Sequence, residues 1–187
     1  MDVLGSPQHG YPAIHVTGTN GKTSVTRMID ALLTALHRRT GRTTSPHLQL
    51  ATERISIDGR PVSPRRYVDT YREIEPYVQM IDEQSQAAGG PAMSKFEVLT
   101  AMAYAAFAEA PVDVAVVEVG LGGRWDATNV IDGEIAVITR SASITPSISA
   151  TTWPGSPRRR PASSRRAART RSCPATPSRS SPSRRRK

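Results

Sequence analysis

A mostly parallel α/β sheet of the phosphate-binding, doubly wound kind is predicted for residues 1–139 by three observations. Short apolar strands alternate with segments of helical period. One strand-to-helix turn is built from glycines, a lysine and two hydroxyls. One further strand is apolar almost throughout, as strands buried on both faces of a parallel sheet are. Residues 140–187 follow as a disordered tail rich in Arg, Pro and Ser.

The first strand is Ala13-Ile14-His15-Val16, bounded by Pro12, and residues 24–36 carry Val25, Met28, Ile29, Leu32, Leu33 and Leu36 at helical spacing. Between them lies Thr17-Gly18-Thr19-Asn20-Gly21-Lys22-Thr23-Ser24. In such a turn the backbone N–H groups approach phosphate oxygens, the helix N-terminus adds partial positive charge, and the lysine reaches the terminal phosphates. Gly18, Thr19, Asn20, Gly21, Lys22, Thr23 and Ser24 are therefore the candidate nucleotide-binding residues. Thr23 or Ser24 would hold a Mg²⁺ ion. The loop is a shortened form, Gly18-x-x-Gly21-Lys22, because Val16 stands where the first glycine of G-x-x-x-x-G-K-[ST] would be. Gly-x-x-Gly alone would read as a plain turn between strand and helix; Lys22 and the hydroxyls after it favour phosphate.

Gly41 reads as the C-cap of this helix, and Arg42-Thr43-Thr44 leads extended into Ser45-Pro46-His47-Leu48. Asp58-Gly59 between Arg54-Ile55-Ser56-Ile57 and Arg60-Pro61-Val62 is a two-residue hairpin signal, and Pro61 keeps its strand at an edge. Ser63-Pro64 opens a helix whose apolar positions run from Tyr67 to Ile81, with a kink or break expected near Glu75 because Pro76 follows. Residues 84–91 read as a loop. Ser94-Lys95-Phe96-Glu97 is a capping box that starts a helix to about Ala110. Val112 to Val119 and Glu134 to Thr139 are the remaining strands.

Charge is divided unevenly. Of 25 Lys and Arg residues, 13 stand in 140–187, whereas all 16 acidic residues stand in 1–139, so the first part is formally −4 and the tail makes the whole chain +9. No apolar run is long enough for a membrane span and none reads as a signal peptide, so a cytoplasmic location and no membrane partner are expected. Cys173 is the only cysteine and the four histidines are scattered, which leaves no cysteine-based or histidine-spaced metal site.

A second chemical cluster follows the apolar strand. Glu118 interrupts that strand near its carboxyl end, and a buried carboxylate is costly without a partner. Ligand sites of open α/β sheets lie beyond the carboxyl ends of the strands, so Glu118 and the turn after Val16 are expected to share one crevice. A Mg²⁺ ion there would satisfy the carboxylate and bridge to phosphate. The loop Gly120-Leu121-Gly122-Gly123-Arg124-Trp125-Asp126-Ala127-Thr128-Asn129 suits close approach to a ligand; alternatively Asp126 and Asn129 only cap backbone groups in a turn.

These residues reach a family. Ile14 to Ser24, Ser45-Pro46-His47-Leu48 with Glu53-Arg54-Ile55, Ser94-Lys95-Phe96-Glu97, and Val116 to Ile131, in this order, resemble the bifunctional dihydrofolate synthase/folylpolyglutamate synthase family of the Mur ligase superfamily. The resemblance covers about Val3 to Thr139. It implies a truncated Mur ligase central domain and an ATP-dependent ligase that joins L-glutamate to dihydropteroate or folates through an acyl phosphate. It further implies ATP and Mg²⁺ as cofactors, Lys22 and Glu118 as catalytic, and Ser24, Ser45 and Glu118 as metal ligands. Phe96, Glu97, Asp126, Ala127 and Thr128 match the positions that line the pterin site. A monomer without specific nucleic-acid partners is expected. His37 departs from the family's small residue or lysine.

Beyond Ile138-Thr139 the likeness stops: the family's proline, Asp-His pair and Glu-Lys segment are absent. The expectation is an inactive amino-terminal fragment whose tail arose by a frameshift near codon 140. Two other readings are a nucleotide-binding remnant without ligase activity and a nucleic-acid binder working through the basic tail, whose binding would be strongly salt-dependent.

Overall fold

The computed structural model describes residues 1–122 and 124–140; Gly123, Cys173 and the tail from 141 lie outside the described residues. The elements are β1 (Ala13–Thr17), α1 (Lys22–Ala35), β2 (Thr40–Thr43), β3 (Ile55–Ile57), β4 (Arg60–Pro61), α2 (Pro64–Ala87), α3 (Lys95–Glu109), β5 (Val114–Glu118) and β6 (Gly133–Ile138). Single 3-10 turns cover Asp2–Leu4, Pro7–His9, Ala51–Arg54 and Ala127–Val130.

The strands form one sheet in the order β4-β3-β2-β5-β1-β6. β2, β5, β1 and β6 are parallel, and the β3–β4 hairpin adds an antiparallel edge. The winding direction of the crossovers, not of the strands, reverses between β5 and β1: the crossover after β1 leads to β2 on one side, and the one after β5 leads to β6 on the other. Loops leaving the carboxyl ends of β1 and β5 therefore meet at the switch point, where such sheets bind ligands.

Alternation along β2 fixes the layers. Arg42 meets Asp30 of α1, whereas Gly41 meets Phe107 of α3. Successive strand residues point to opposite faces, so α1 and α3 cover opposite sides of the sheet. Tyr104, Phe107, Met102, Val116 and Val117 are fully buried between these layers, and α2 packs outside α3. The edge-to-face contact of Tyr11 with Phe107, centroids 6.0 Å apart, closes the amino-terminal segment over that core.

Several local expectations hold. Asp58 and Gly59 both have positive φ, 51° and 72°, and turn β3 into β4 with Ile57 opposite Arg60. β4, with Pro61, is the edge. Ser94 and Glu97 form the capping box of α3, with Ser94 N–H donating to Glu97 Oε2 at 2.7 Å.

Others are corrected. Gly41 is not a helix cap: α1 ends at Ala35, His37 takes the positive φ of 57°, and Gly41 lies inside β2. Its lack of a side chain admits the Phe107 ring, since a Cβ there would lie 2.6 Å from Cδ1. Gly41→Ala is accordingly expected to cost about 1–3 kcal/mol by overpacking, read as a lowered urea midpoint. No break occurs near Glu75. α2 runs through Pro76 to Ala87, taking in half of the expected loop, because burial of Ile74 before the proline and packing of Val78 after it hold one helix face to the core.

The face of α1 is also different. Met28, Leu32 and Leu36 are 64%, 66% and 70% exposed, while Thr26 and Asp30 are the residues it buries. Asp30 Oδ2 sits 3.0 Å from Arg42 Nη1, its Oδ1 accepts from Thr40 Oγ1 at 2.6 Å, and Arg42 Nη2 donates to Ser56 Oγ at 2.7 Å. This polar seam between helix and sheet sets the rotation of α1.

Candidate active site

β1 delivers the chain to a turn in which Gly18 and Gly21 have φ of 135° and 79°, conformations that side-chain-bearing residues resist. Gly21 is the N-cap of α1, so the first amides of the helix open toward the crevice without intrahelical partners. The carboxyl end of β6 braces the turn. Thr139 N–H donates to Thr17 O and Thr139 Oγ1 to Asn20 O, both at 2.8 Å, and a Cβ on Gly18 would collide with the Thr139 hydroxyl. The amides of Thr19 and Asn20 both donate to Arg140 O, at 3.1 and 3.2 Å. Of the predicted cradle, Gly21, Lys22, Thr23 and Ser24 thus stand at the helix end, while Thr19 and Asn20 have their amides engaged by Arg140, two residues past β6. Lys22 Nζ donates to Gly18 O at 2.9 Å, so the ammonium lies back over the turn.

Glu118 ends β5 directly beside β1, in register with Val16, and is 3% exposed. Thr23 Oγ1 donates to Oε1 at 2.7 Å and the Ser45 backbone N–H to Oε2 at 3.1 Å. One buried carboxylate thereby joins the phosphate turn, the strand end and the segment after β2, and these hydrogen bonds offset its desolvation. Ser45 reaches Glu118 through its amide. Ser24 is exposed on the first turn of α1, next to Thr23.

These donors suit Mg²⁺. A hard cation held largely by substrate phosphates needs one or two carboxylates and a hydroxyl, all oxygen, and the remaining lone pairs of Glu118 with the hydroxyls of Thr23 or Ser24 supply that. Among the described residues no group of three or more His, Cys, Asp or Glu gathers to hold a metal without phosphate.

On the other face, the loop after β5 folds around Asp126. Its Oδ2 accepts from Leu121 N (3.0 Å) and Gly122 N (3.3 Å); its Oδ1 accepts from Thr128 N (3.0 Å) and Thr128 Oγ1 (2.5 Å). Asp126 thus caps backbone groups of this loop. Thr128 is 1% exposed, with its Oγ1 also 2.9 Å from His15 Nε2 and its carbonyl accepting from Tyr104 Oη at 3.0 Å. Ala127 is half-buried at the start of the 3-10 turn. The half-buried ring of Phe96 lies over Gly120, where a Cβ would come within 2.6 Å of Cζ. Glu97, exposed, gives its carboxylate to the α3 cap.

Sequence reasoning missed His15, Thr139 and Arg140. His15 carried a signal: a ring nitrogen inside an apolar strand needs a partner. Burial lowers its pKa below 6.5, only partly opposed by the nearby Asp126 charge. A depressed histidine pKa means that the unfolded chain takes up the proton first. Its contribution to stability is present above pH 6.5 and is lost as pH falls from there through the folded-state value. Urea midpoints at pH 7.5 and 5 are expected to show this loss, and His15→Gln to remove that part of it.

The segment after Ser45 is held by Glu53, whose carboxylate accepts from the amides of Leu48, Gln49 and Leu50 at 3.1, 3.0 and 2.9 Å. Those amides, Leu50 first, hold its pKa below the ordinary 4.5. Arg54 Nε donates to His47 Nδ1 at 2.8 Å. Leu48 and Leu50 remain exposed at the tip.

Residues 16–73 match the Mur ligase middle domain. A dihydrofolate synthase/folylpolyglutamate synthase of Mycobacterium tuberculosis is 78% identical over 142 residues, which make up 74% of this chain and 29% of that protein. A solved Mycobacterium tuberculosis folylpolyglutamate synthase complexed with ADP superposes with a TM-score of 0.74 at 76% identity, covering 76% of this chain and 32% of that one. An AMPPCP–folate complex of a folylpolyglutamate synthase superposes with a TM-score of 0.71 at 39% identity, over 77% of this chain and 34% of that one. The chain thus spans about a third of the length of the relatives it matches. Sheet order, glycine turn and switch-point crevice define a domain of the Mur ligase middle-domain type. Within that class, the chain belongs to the dihydrofolate synthase/folylpolyglutamate synthase family.

Proposed function

We propose that residues 1–139 are the ATP- and pterin-binding part of a ligase that joins L-glutamate to dihydropteroate or a folate. The terminal phosphoryl of ATP passes to the substrate carboxylate, releasing ADP. The glutamate amine then displaces phosphate from the acyl phosphate and gives up a proton as the amide forms. Gly21, Lys22, Thr23 and Ser24 cradle the triphosphate, and Lys22 leaves Gly18 O for the transferred phosphoryl group. Glu118 and Ser24 or Thr23 would hold Mg²⁺, which would neutralise phosphate charge when bound, and the Ser45 hydroxyl would join them. Phe96 stacks on the pterin beside Gly120, with Asp126, Ala127, Thr128 and Glu97 shaping that side.

The observation that carries this reading is the Thr23–Glu118–Ser45 hydrogen-bonded junction under the helix N-terminus, at the switch point of the sheet. A polypeptide limited to these 187 residues is proposed to bind Mg²⁺–nucleotide and dihydropteroate without completing glutamate addition, and no described helix is long and apolar enough to cross a membrane. Calorimetric titration with AMPPCP and dihydropteroate, alongside mass spectrometry of mixtures containing ATP and glutamate, tests this. Binding of both without a glutamylated product is expected. Absence of nucleotide binding by folded protein overturns the site, and a product of added glutamate mass overturns the inactivity.

A further inference from the structure

We infer that His15 is a positioning residue for the pterin side of the site, acting through Thr128 and Asp126 on the Gly120–Gly122 loop. This rests on the proposed function, because the ligand it positions is the pterin-bearing substrate.

The direction of the hydrogen bonds follows from the donors available. Asp126 carries a carboxylate that already accepts from the amides of Leu121, Gly122 and Thr128, so the Thr128 hydroxyl, 2.5 Å away, gives its proton to Asp126. A hydroxyl has one proton, so toward His15 it offers only a lone pair. The 2.9 Å contact therefore takes its proton from His15 Nε2, which fixes the neutral ring as the Nε2–H tautomer. The chain runs one way: imidazole N–H to hydroxyl to carboxylate, and the carboxylate gathers the loop amides.

The placement gives that chain its purpose. His15 lies in β1, three residues before Gly18, and Gly133 of β6 lacks a side chain where a Cβ would come within 3.0 Å of the His15 Cβ. The base of the His15 side chain is thus packed closely against β6. At the far end, Asp126 Oδ2 would lie 3.1 Å from a Cβ on Gly120, a position that the Phe96 ring also crowds. The relay thereby couples the strand that carries the phosphate turn to the loop against which Phe96 rests. Tyr104 Oη on the Thr128 carbonyl, and Tyr11 Oη on the Tyr104 carbonyl, anchor the middle of the relay in the core. His15 itself, 8% exposed, is too buried to be a ligand contact.

The test uses the 187-residue chain and its His15→Leu, His15→Gln and Thr128→Val variants. The Gln amide restores an N–H near the Nε2 position, and Thr128→Val is isosteric, so it reports on the relay if His15→Leu does not fold. Amide exchange at Leu121 and Gly122 is expected to quicken in His15→Leu and Thr128→Val and to stay near wild type in His15→Gln. Dihydropteroate affinity is expected to fall about tenfold or more in the first two while AMPPCP affinity holds. Unchanged exchange, unchanged dihydropteroate affinity, an equal fall for both ligands, or a His15→Gln variant as impaired as His15→Leu would each overturn the relay. A wild-type chain that binds AMPPCP but no dihydropteroate instead defeats the proposed function, and the exchange rates then decide the relay alone.

Discussion

Glu118→Gln is expected to leave the fold intact and to remove most of the magnesium dependence of nucleotide binding. The amide is nearly isosteric, and its oxygen still accepts the Ser45 N–H that now lies 3.1 Å from Oε2. The Thr23 hydroxyl, which now donates to Oε1 at 2.7 Å, can turn to accept from the new NH₂ group. What is lost is the negative charge and one hard oxygen ligand. Affinity for Mg²⁺–AMPPCP is expected to drop on the order of 10–100-fold, and affinity measured without metal to change little. The measurement is a pair of calorimetric titrations with and without Mg²⁺, beside a thermal melt. An equal loss in both titrations would mean that Glu118 serves the turn's geometry and not a cation.

Asp30→Ala is expected to have the largest effect on stability. The Asp30–Arg42 pair is buried, with side-chain exposures of 2% and 10%, and Arg42 Nε already lacks a partner. Removing the carboxylate strands a guanidinium between α1 and the sheet and takes away the acceptor of Thr40 Oγ1. Breaking such a pair from one side costs about 3–5 kcal/mol, which for a domain of this size lowers the melting temperature by roughly 10–20 °C. The double variant Asp30→Ala/Arg42→Met is expected to recover much of the loss, because neither charge is then left alone. A double variant as unstable as the single one would place the cost in lost packing instead.

That same seam explains what could be read from the sequence and what could not. The elements carried by local chemistry were legible: positive φ at Asp58-Gly59, the reciprocal cap of Ser94 and Glu97, and the apolar run of β5 each depend on neighbours within a few residues. The face of α1 depends on Arg42 in another element, so a period of apolar residues located the helix but not its rotation. Gly41 likewise looks like a cap until Phe107, far along the chain, is seen to occupy its missing side chain. Pro76 argued for a break on local grounds, and packing on both sides of it prevailed. In the site, Glu118 announced itself as a carboxylate in a buried strand, and its meeting with Thr23 followed from topology. The burial of Thr128 and the engagement of the Thr19 and Asn20 amides by Arg140 were not legible, because they depend on the path of loops whose glycines permit many conformations.

The coupling of the two faces matters for how such a domain works. Glu118 and Thr23 lie on the α1 side of the sheet, whereas His15, Thr128 and Asp126 lie on the α3 side, and both sets converge at the β1–β5 switch point. Under the proposed function, nucleotide and acyl substrate would be held by separate surfaces while their reacting ends meet beyond one pair of strands.

The most direct measurement is a crystal structure of the chain with AMPPCP and Mn²⁺ in place of Mg²⁺, in which the anomalous signal marks the metal. The account predicts phosphate density against the amides of Gly21 to Ser24, Lys22 turned from Gly18 O onto the terminal phosphate, and the anomalous peak beside the Glu118 carboxylate. Nucleotide bound elsewhere on the sheet, or a metal peak remote from Glu118, would contradict it.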